Sequence, residues 1–460
     1  MTIALALATY ACNLPTLPKS ARVSAVRCVF DLIGAAIAGH RTSGGRAACA
    51  AAPRAWGTGP AACWFSGERL TVPGAAFANA AIASALDLDD GHRAASGHPG
   101  AAVIPAVLAT AEAIGANAER VLTAIALGYE IGVRISAARD FKSLHTFDSG
   151  LWCGQGAAVA AGWLRGLGPD AIANAIAIAG TTAPGQTATG YTRLMGNNVK
   201  EGIPWATATG LTAVELAANG FTGPVDLLDD DARYDQAVLT EGLGQGWRIE
   251  DTYFKLYSCC RWAHAAIDGM LEIRAQEEVA AADIVAVRIE TFAQTLALNN
   301  DLVPPTLEAA QYSVPFCVAA AAVHGPAALL PLEEPMLADR AVLDCAPKIT
   351  VTVDPALDSL FPAAVPARVI VETGDARFSR MIVAPRGEPT NPLGWDDLRA
   401  KFEALAKNRL PPSATTALID AFASLDSGDL RPLLAALSAP SEVSRGRDAQ
   451  SALVPEPAAG

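Results

Sequence analysis

Apolar residues recur at helical spacing from about residue 17 to residue 266, and this pattern limits the possible folds most strongly. Val26, Phe30 and Ile33 lie four and three residues apart. This spacing predicts a helix over residues 23–39 with one apolar stripe. Several later segments are rich in alanine and glycine on more than one face, which permits close packing inside a large helical bundle. The further predicted helices span residues 75–86, 101–114, 118–138, 154–164, 169–179 and 205–218.

The pattern changes after residue 278, where apolar and polar residues begin to alternate. Alternation is typical of half-buried strands, and an apolar helix is predicted between the first two of them. The predicted strands span residues 284–292, 348–353, 368–373 and 377–383, and the predicted helix spans 311–324. Residues 267–397 therefore read as a compact α+β domain. Helices resume at residues 398–406, 414–423 and 430–437.

Composition and charge limit the partners of the chain. The net charge is −13 and the isoelectric point is near 5.0. We expect neither nucleic acid nor an anionic membrane surface as a partner, because both select basic faces. The N-terminal twelve residues are apolar but lack the preceding basic residues of a signal peptide, and they read as a first helix. A cytoplasmic protein with reduced, mostly buried cysteines is predicted.

One short segment, residues 85–100, concentrates acids and imidazoles between two apolar helices. Its acidic and histidine residues within twelve positions are Asp87, Asp89, Asp90, His92 and His98. A carboxylate or imidazole in a desolvated pocket can have its pKa moved towards neutrality and serve as a general acid or base. The alternative is a solvated loop whose polar residues cap the helix that follows Pro99.

Two other segments carry cations. Lys200 comes shortly before a helix of small residues and could bind a carboxylate as a point charge. Lys255, Arg261 and His264 lie within ten residues of one another. Recognition of a di- or tricarboxylate requires such a cluster, because several anionic groups need several fixed donors. The alternatives are an ordinary exposed lysine at 200 and a domain hinge with a core-facing histidine at 264.

Other kinds of chemistry lack their motifs in this sequence. There is no GxxxxGK[ST] phosphate loop, no GxSxG nucleophile elbow and no three-cysteine spacing of an iron–sulfur dehydratase. Cys259 and Cys260 are adjacent and have no second pair, so a metal site explains them poorly. The chemistry that these missing motifs leave open is acid–base catalysis on a small anion without a cofactor.

Together these segments resemble the MmgE/PrpD family, which contains 2-methylcitrate dehydratases, cis-aconitate decarboxylase and iminodisuccinate epimerase. The resemblance covers nearly the whole chain, and the order and spacing of its motifs are specific. The motifs are LP at 17–18, FDLIGAAIAG at 30–39, ALDLDD at 85–90, HPG at 98–100, GYE at 128–130, GFTGP at 220–224, CCRWAH at 259–264, AQYSVP at 310–315 and GEPTNP at 387–392.

The resemblance implies a mainly α fold in which a large helical-bundle domain carries an inserted α+β lid domain. It also implies a homodimer without metal or organic cofactor. These parts agree with the boundaries that periodicity predicts, which are residues 1–266 and 398–440 for the helical domain and 267–397 for the lid domain. Residues 441–460, rich in Ser, Pro, Ala and charge, are predicted to form a disordered tail. The implied catalytic residues are Asp87, His98, Lys200, Lys255, His264 and a lid aromatic at Tyr312 or Phe316.

The chain departs from the family pattern at three places. Many members have a threonine where this chain has Gly91, and His92 is the candidate to replace the missing hydroxyl. Lys200 is followed by EGIP rather than the usual His-Pro-Gly. His145 is displaced by two or three residues from a His-Pro-Thr segment of the family, and Asp148 lies nearer that position. The predicted substrate-binding residues are Asp90, His92, His145 and Arg261.

The predicted function is a cofactor-independent hydro-lyase that removes water from a small β-hydroxy di- or tricarboxylate, such as a 2-methylcitrate-like acid. Its substrate has an acidic C–H next to a carboxylate, and fixed cations stabilise the enediolate that develops. The predicted roles are carboxylate anchoring by Lys200, Lys255 and Arg261, proton abstraction by His98 or Asp87, and protonation of the departing hydroxyl by His264 or Tyr312. The alternatives are a decarboxylase of the cis-aconitate type, an epimerase of the iminodisuccinate type and a non-catalytic carboxylate-binding protein.

Overall fold

The computed structural model describes residues 1–141, 144, 146–184 and 196–441. The fold is mainly α, as predicted, with a small sheet. The helices of the first half are α1 Ile3–Cys12, α2 Lys19–Gly39, α3 Ser43–Trp56, α4 Val72–Ser84, α5 Gly100–Ile114, α6 Ala118–Ala137, α7 Cys153–Leu164, α8 Pro169–Thr181, α9 Ile203–Ala218 and α10 Gln236–Thr240. Those of the second half are α11 Arg261–Gln276, α12 Leu307–Gln311, α13 Val314–His324, α14 Arg340–Cys345, α15 Pro355–Asp358, α16 Trp395–Ala406, α17 Pro412–Asp426 and α18 Arg431–Ser438.

The strands form two short ribbons and one four-stranded sheet. They are β1 Thr58–Ala62, β2 Arg69–Leu70, β3 Gly91–His92, β4 Thr252–Tyr253, β5 Ala286–Thr291, β6 Ile349–Val353, β7 Ala367–Glu372 and β8 Arg377–Ile382. The sheet order is β6-β5-β7-β8, with β5 and β6 parallel and the other pairs antiparallel. All four predicted strands are confirmed, including the hairpin of β7 and β8. The predicted tail lies outside the described residues, except for Ser441.

The helices predicted for the first half are present, with ends that differ by at most four residues. Five of them begin one to four residues earlier than predicted, and in one case a capping residue sets the start. In α4 the Thr71 hydroxyl accepts a hydrogen bond from the N–H of Gly74, and Pro73 occupies the first turn. A sequence that reads as a turn therefore starts this helix.

The helix predicted over residues 311–324 is interrupted, and this prediction needs correction. α12 ends at Gln311 and α13 begins at Val314. The Ser313 hydroxyl caps α13 by accepting from the N–H of Phe316, and a proline follows in the first turn. After this break the Gln311 side chain donates to the Ala85 carbonyl, and the Tyr312 hydroxyl lies 3.5 Å from Glu201.

Two helices of more than ten residues, α3 and α11, were not expected from the apolar pattern. α3 contains two early glycines and Pro53, and only two of its residues are buried. α11 begins in the basic cluster at Arg261 and packs against β7 and β8. A Cβ at Gly269 would lie 2.8 Å from the Val369 side chain, so a small residue is needed at that contact. The first turn of α3 is rich in glycine and that of α11 begins with a charged residue, so neither start shows the apolar spacing used for prediction.

Two main apolar cores organise the chain. One contains residues from Ile3 to Phe254 and again from Leu393 to Leu437, and the other contains residues from Tyr257 to Val371. The C-terminal helices join the first core through Phe402, whose ring stacks on Phe30 at 4.7 Å. The chain passes from the first core to the second between residues 254 and 257, and it returns to the first core between residues 371 and 393. The exact domain division stays a prediction. No helix in the described part of the chain is long and apolar enough to cross a membrane.

Candidate functional site

The acidic segment is held beside the basic segment by a two-strand ribbon. β3 pairs with β4 in the register Gly91 to Tyr253, two residues before Lys255. A Cβ at Gly91 would lie 2.4 Å from the Tyr253 ring, so a larger residue there would require that ring to move. His92 was expected to replace the hydroxyl of the family's threonine, but its Nε2 lies 2.9 Å from the Arg248 carbonyl instead.

Asp87 and Lys255 form a buried ion pair at the start of this segment. The Lys255 Nζ donates to Asp87 Oδ1 at 2.8 Å, and both side chains are almost fully buried. Burial alone would raise the pKa of Asp87, but the charges of Lys255, Lys200 and His98 outweigh it and hold that pKa well below its usual range. Burial would lower the pKa of Lys255, but Asp87 and other acidic groups raise it above its ordinary value. Asp87 is therefore a poor proton acceptor.

His98 is surrounded by three carboxylates. Its Nδ1 lies 2.8 Å from Asp89 Oδ2, and its Nε2 lies 3.4 Å from Asp87 and 3.6 Å from Glu201. Burial and the nearby Lys255 lower the pKa of His98, but Asp89 and Glu201 outweigh them and raise it above its usual value. The site thus keeps His98 protonated to higher pH, which suits a proton donor.

Lys200 reaches the segment from the loop before α9. Its backbone is left-handed, with φ 46°, and its Nζ donates to the Ser84 carbonyl and to Gln311 Oε1, both at 2.8 Å. Gln311 in turn donates to the Ala85 carbonyl at 3.0 Å. The Lys200 ammonium also lies 5.9 Å from the centre of the Tyr312 ring. An ammonium group fixed in this way can hold a carboxylate.

Glu201 is part of the site, although the sequence analysis did not select it. Its Oε2 accepts from the hydroxyl and the N–H of Ser149 at 2.6 and 3.2 Å. Its Oε1 lies 3.5 Å from the Tyr312 hydroxyl, close to His98. The signal was the replacement of the family's His-Pro-Gly by EGIP directly after Lys200. Sequence alone could not show where that glutamate points.

A narrow cavity lies at the centre of these groups. It is lined by Ser84, Asp87, Asp89, His98, Val199, Lys200, Glu201, Ile203 and Pro204. Lys255 adjoins it through Asp87, and Tyr312 adjoins it through Glu201. The structure therefore brings together five of the six residues predicted to be catalytic. Acids, imidazole and ammonium groups from widely separated segments meet there.

Asp148 lies beside Glu201 and has unusual electrostatics. Burial, and after it the charge of Glu201, raises the pKa of Asp148 to about 7. Its Oδ1 is buried without a hydrogen-bond partner among the described residues. His145 lies outside the described residues, so its predicted role in substrate binding stays a prediction.

Four other predicted residues do not line the cavity, namely Asp90, His92, Arg261 and His264. Asp90 is buried elsewhere, where it accepts from the Tyr129 hydroxyl at 2.6 Å and from the N–H of Gly100 at 3.2 Å. These bonds tie the segment to α5 and α6, and the role of Asp90 in substrate binding stays a prediction. His92 faces the Arg248 carbonyl, as described above, and burial lowers the pKa of His92 to about 4.

Arg261 is bound to other groups of the protein. Its Nε donates to Glu388 at 2.9 Å, and its other nitrogens donate to the carbonyls of Pro385 and Arg386. His264 is fully buried, with Nδ1 3.0 Å from Arg261 and Nε2 3.3 Å from the Cys259 carbonyl. Burial and the Arg261 charge hold the pKa of His264 well below its usual range. The geometry therefore supports neither the predicted anchoring role of Arg261 nor the predicted acid role of His264.

Three groups in the site could in principle be metal ligands. Ligand atoms of Asp87, Asp89 and His98 lie within 4.8 Å of one another. Lys255 places an ammonium 2.8 Å from Asp87, however, and His98 uses Nδ1 for Asp89. A fixed positive charge in contact with a candidate ligand repels a cation. This donor set favours proton transfer over metal binding.

Comparison with known proteins gives two family matches. Residues 5–243 match the MmgE/PrpD N-terminal domain, and residues 257–427 match the MmgE/PrpD C-terminal domain. A cis-aconitate decarboxylase of Aspergillus terreus strain NIH 2624 is 27% identical over 421 residues, covering 83% of this chain and 84% of the relative. The cis-aconitate decarboxylase-like protein oryM of Aspergillus oryzae is 26% identical over 408 residues, covering 81% and 83%.

Proposed function

The chain belongs to the MmgE/PrpD family, and from this premise we propose that it is a cofactor-independent lyase acting on a small polycarboxylic acid. The observation that carries the proposal is His98, an imidazole held between three carboxylates and next to two buried lysines. A lyase of this kind needs a proton donor and fixed positive charge in one desolvated place.

Within this class we propose dehydration of a β-hydroxy acid such as 2-methylcitrate. Lys200 and Lys255 would hold the carboxylate next to the reacting carbon and stabilise the negative charge that develops on it. His98 would donate its proton to the departing hydroxyl, which leaves as water. The cavity supplies a carboxylate as well as a proton donor, and elimination of water requires both a base and an acid.

Decarboxylation of a cis-aconitate-like acid is the second candidate, because the curated relatives are named cis-aconitate decarboxylases. That reaction also forms a carbanion next to a carboxylate and needs a proton donor, but no base has to remove a carbon-bound proton. Epimerisation, in contrast, would need proton exchange without loss of water or carbon dioxide. We also propose a homodimer and a cytoplasmic location, from the resemblance and the composition.

One experiment separates these reactions. The purified protein is incubated in deuterium oxide with 2-methylcitrate, cis-aconitate or iminodisuccinate, and products are followed by proton NMR and carbon dioxide release. Dehydration yields an alkene without carbon dioxide, decarboxylation releases carbon dioxide, and epimerisation gives only deuterated substrate. Tight binding of these acids without any turnover would favour a non-catalytic protein and overturn the proposal.

Lys200→Met tests the anchoring role within the same assay. We expect KM to rise at least tenfold, because a charged hydrogen bond to the substrate is worth about 1.5–3 kcal/mol. Lys19→Met is the matched control, since Lys19 is exposed at the start of α2. An unchanged KM in Lys200→Met would remove this lysine from substrate binding.

A further inference from the structure

We propose that Glu201 is the general base that removes the carbon-bound proton, with His98 as its complementary acid. This inference rests on the proposed lyase function. It assigns a catalytic role to a residue that does not come from the family pattern, which usually has His-Pro-Gly after the lysine.

The first argument is the orientation of the Glu201 carboxylate. Its side chain is almost fully buried and lines the cavity together with Asp87, His98 and Lys200. Ser149 fixes Oε2 with two hydrogen bonds. Oε1 is left on the side of His98 and Tyr312, at 3.6 and 3.5 Å. A carboxylate with one oxygen anchored and the other facing the reaction centre has the geometry of a base.

The second argument is that neighbouring groups are unsuited to accept a proton. Asp87 is paired with the Lys255 ammonium at 2.8 Å. Asp89 Oδ2 is engaged by His98 Nδ1 at 2.8 Å and so holds the imidazole in place. The carboxylates of Asp89 and Glu201 raise the pKa of His98 above its usual value, which favours the imidazolium form as a proton donor rather than an acceptor. Burial raises the pKa of Cys260 to about 12, so this nearby thiol stays neutral. Among the described groups that line the cavity, Glu201 is the best-placed acceptor.

The proposed step balances in atoms and charge. Glu201 takes the proton from the carbon, and the C–H electron pair moves to form the enediolate. The C–O bond to the hydroxyl then breaks, and the leaving group takes the proton of the His98 imidazolium to form water. Glu201 ends protonated and His98 ends neutral. Return of the proton from Glu201 to His98, whose atoms are 3.6 Å apart, restores the starting state.

Glu201→Gln separates a base from a structural residue. The amide keeps the shape of the side chain but cannot accept the proton, so we expect kcat to fall by roughly 10²–10⁴-fold. KM should stay equal or fall, because a negative charge next to an anionic substrate has been removed. A purely structural role predicts a higher KM or a loss of folded protein, which circular dichroism would detect.

Two further variants complete the test. Glu201→Asp keeps a carboxylate one methylene further away and should retain activity between those of Glu201→Gln and the wild type. Glu215→Gln on α9 is the control, since Glu215 is exposed and pairs with Arg165 at the surface. We expect it to match the wild type.

The outcomes distinguish this inference from the function on which it rests. A wild type that converts none of the three acids overturns the proposed lyase and this assignment together. An active wild type with wild-type kcat in Glu201→Gln overturns only the assignment of Glu201. Loss of kcat with an unchanged or lower KM supports it, and loss of affinity at constant kcat contradicts it.

Discussion

Replacement of Lys401 by methionine is the sharpest test of how the site is supported. Lys401 lies on α16, where only 2% of the residue is exposed, and its Nζ donates to Asp31 Oδ1 at 2.6 Å and to the Leu88 carbonyl at 2.7 Å. Methionine preserves most of the volume but removes the charge and both hydrogen bonds. Asp31 would then be buried without its cation, which typically costs about 3–5 kcal/mol of stability.

The pH dependence of this loss follows from the state of Asp31. Burial, opposed by Lys401, already raises the pKa of Asp31 to about 6. Without Lys401 we take a pKa of about 8, as buried carboxyls can reach. A raised pKa contributes stability at low pH that is lost as pH rises through the folded value. From pH 8.0 to 5.5 the Asp31 carboxyl should contribute a gain of about 3 kcal/mol in the variant and about 1 kcal/mol in the wild type, at 1.36 kcal/mol per pKa unit.

Urea unfolding followed by circular dichroism at both pH values measures these differences. We expect the destabilisation by Lys401→Met to be about 2 kcal/mol smaller at pH 5.5 than at pH 8.0. Asp31→Asn combined with Lys401→Met is the control, because without the buried carboxyl the extra pH dependence should vanish. A loss that is equal at both pH values, or a double variant no more stable than Lys401→Met, would refute the reasoning.

Two further substitutions test packing and buried acids away from the cavity. Gly39→Ala should lower the free energy of unfolding by about 1–3 kcal/mol, because the new Cβ would lie 1.8 Å from the Ile82 carbonyl oxygen. Urea unfolding measures this loss. Gly246→Ala is the control, because its new Cβ would meet no atom within 4 Å. Burial raises the pKa of Asp90 to about 7, so this carboxyl should lower the stability of the wild type as pH rises from 5 to 8. Asp90→Asn should flatten that decline in unfolding curves, and an unchanged slope would contradict it.

Much of the fold could be predicted because each element carries its own pattern. Apolar spacing along residues 23–39 and alternation along 284–292 are local properties, and the helix and strand there follow them. The ends were less predictable, since capping residues such as Thr71 and Ser313 decide them. Local patterns thus fix the type of an element better than its limits.

The site was harder to predict because the partner of each charge lies far away in sequence. Arg261 looks like an anion binder until Glu388, 127 residues later, pairs with it. Asp90 looks like its neighbours Asp87 and Asp89 until Tyr129 binds it. Glu201 gains its place from Ser149, 52 residues earlier. The surroundings of each charged side chain therefore depend on a partner that its own segment of sequence does not contain.

The hydrogen bond from Lys401 to Leu88 has a consequence for biosynthesis. Leu88 sits between Asp87 and Asp89, and its donor follows 313 residues later in the chain. During translation the N-terminal helices can form early, but the loop that carries both carboxylates lacks this support until α16 has left the ribosome. The segment that carries both carboxylates therefore receives this buried hydrogen bond only after the chain has been synthesised beyond Lys401.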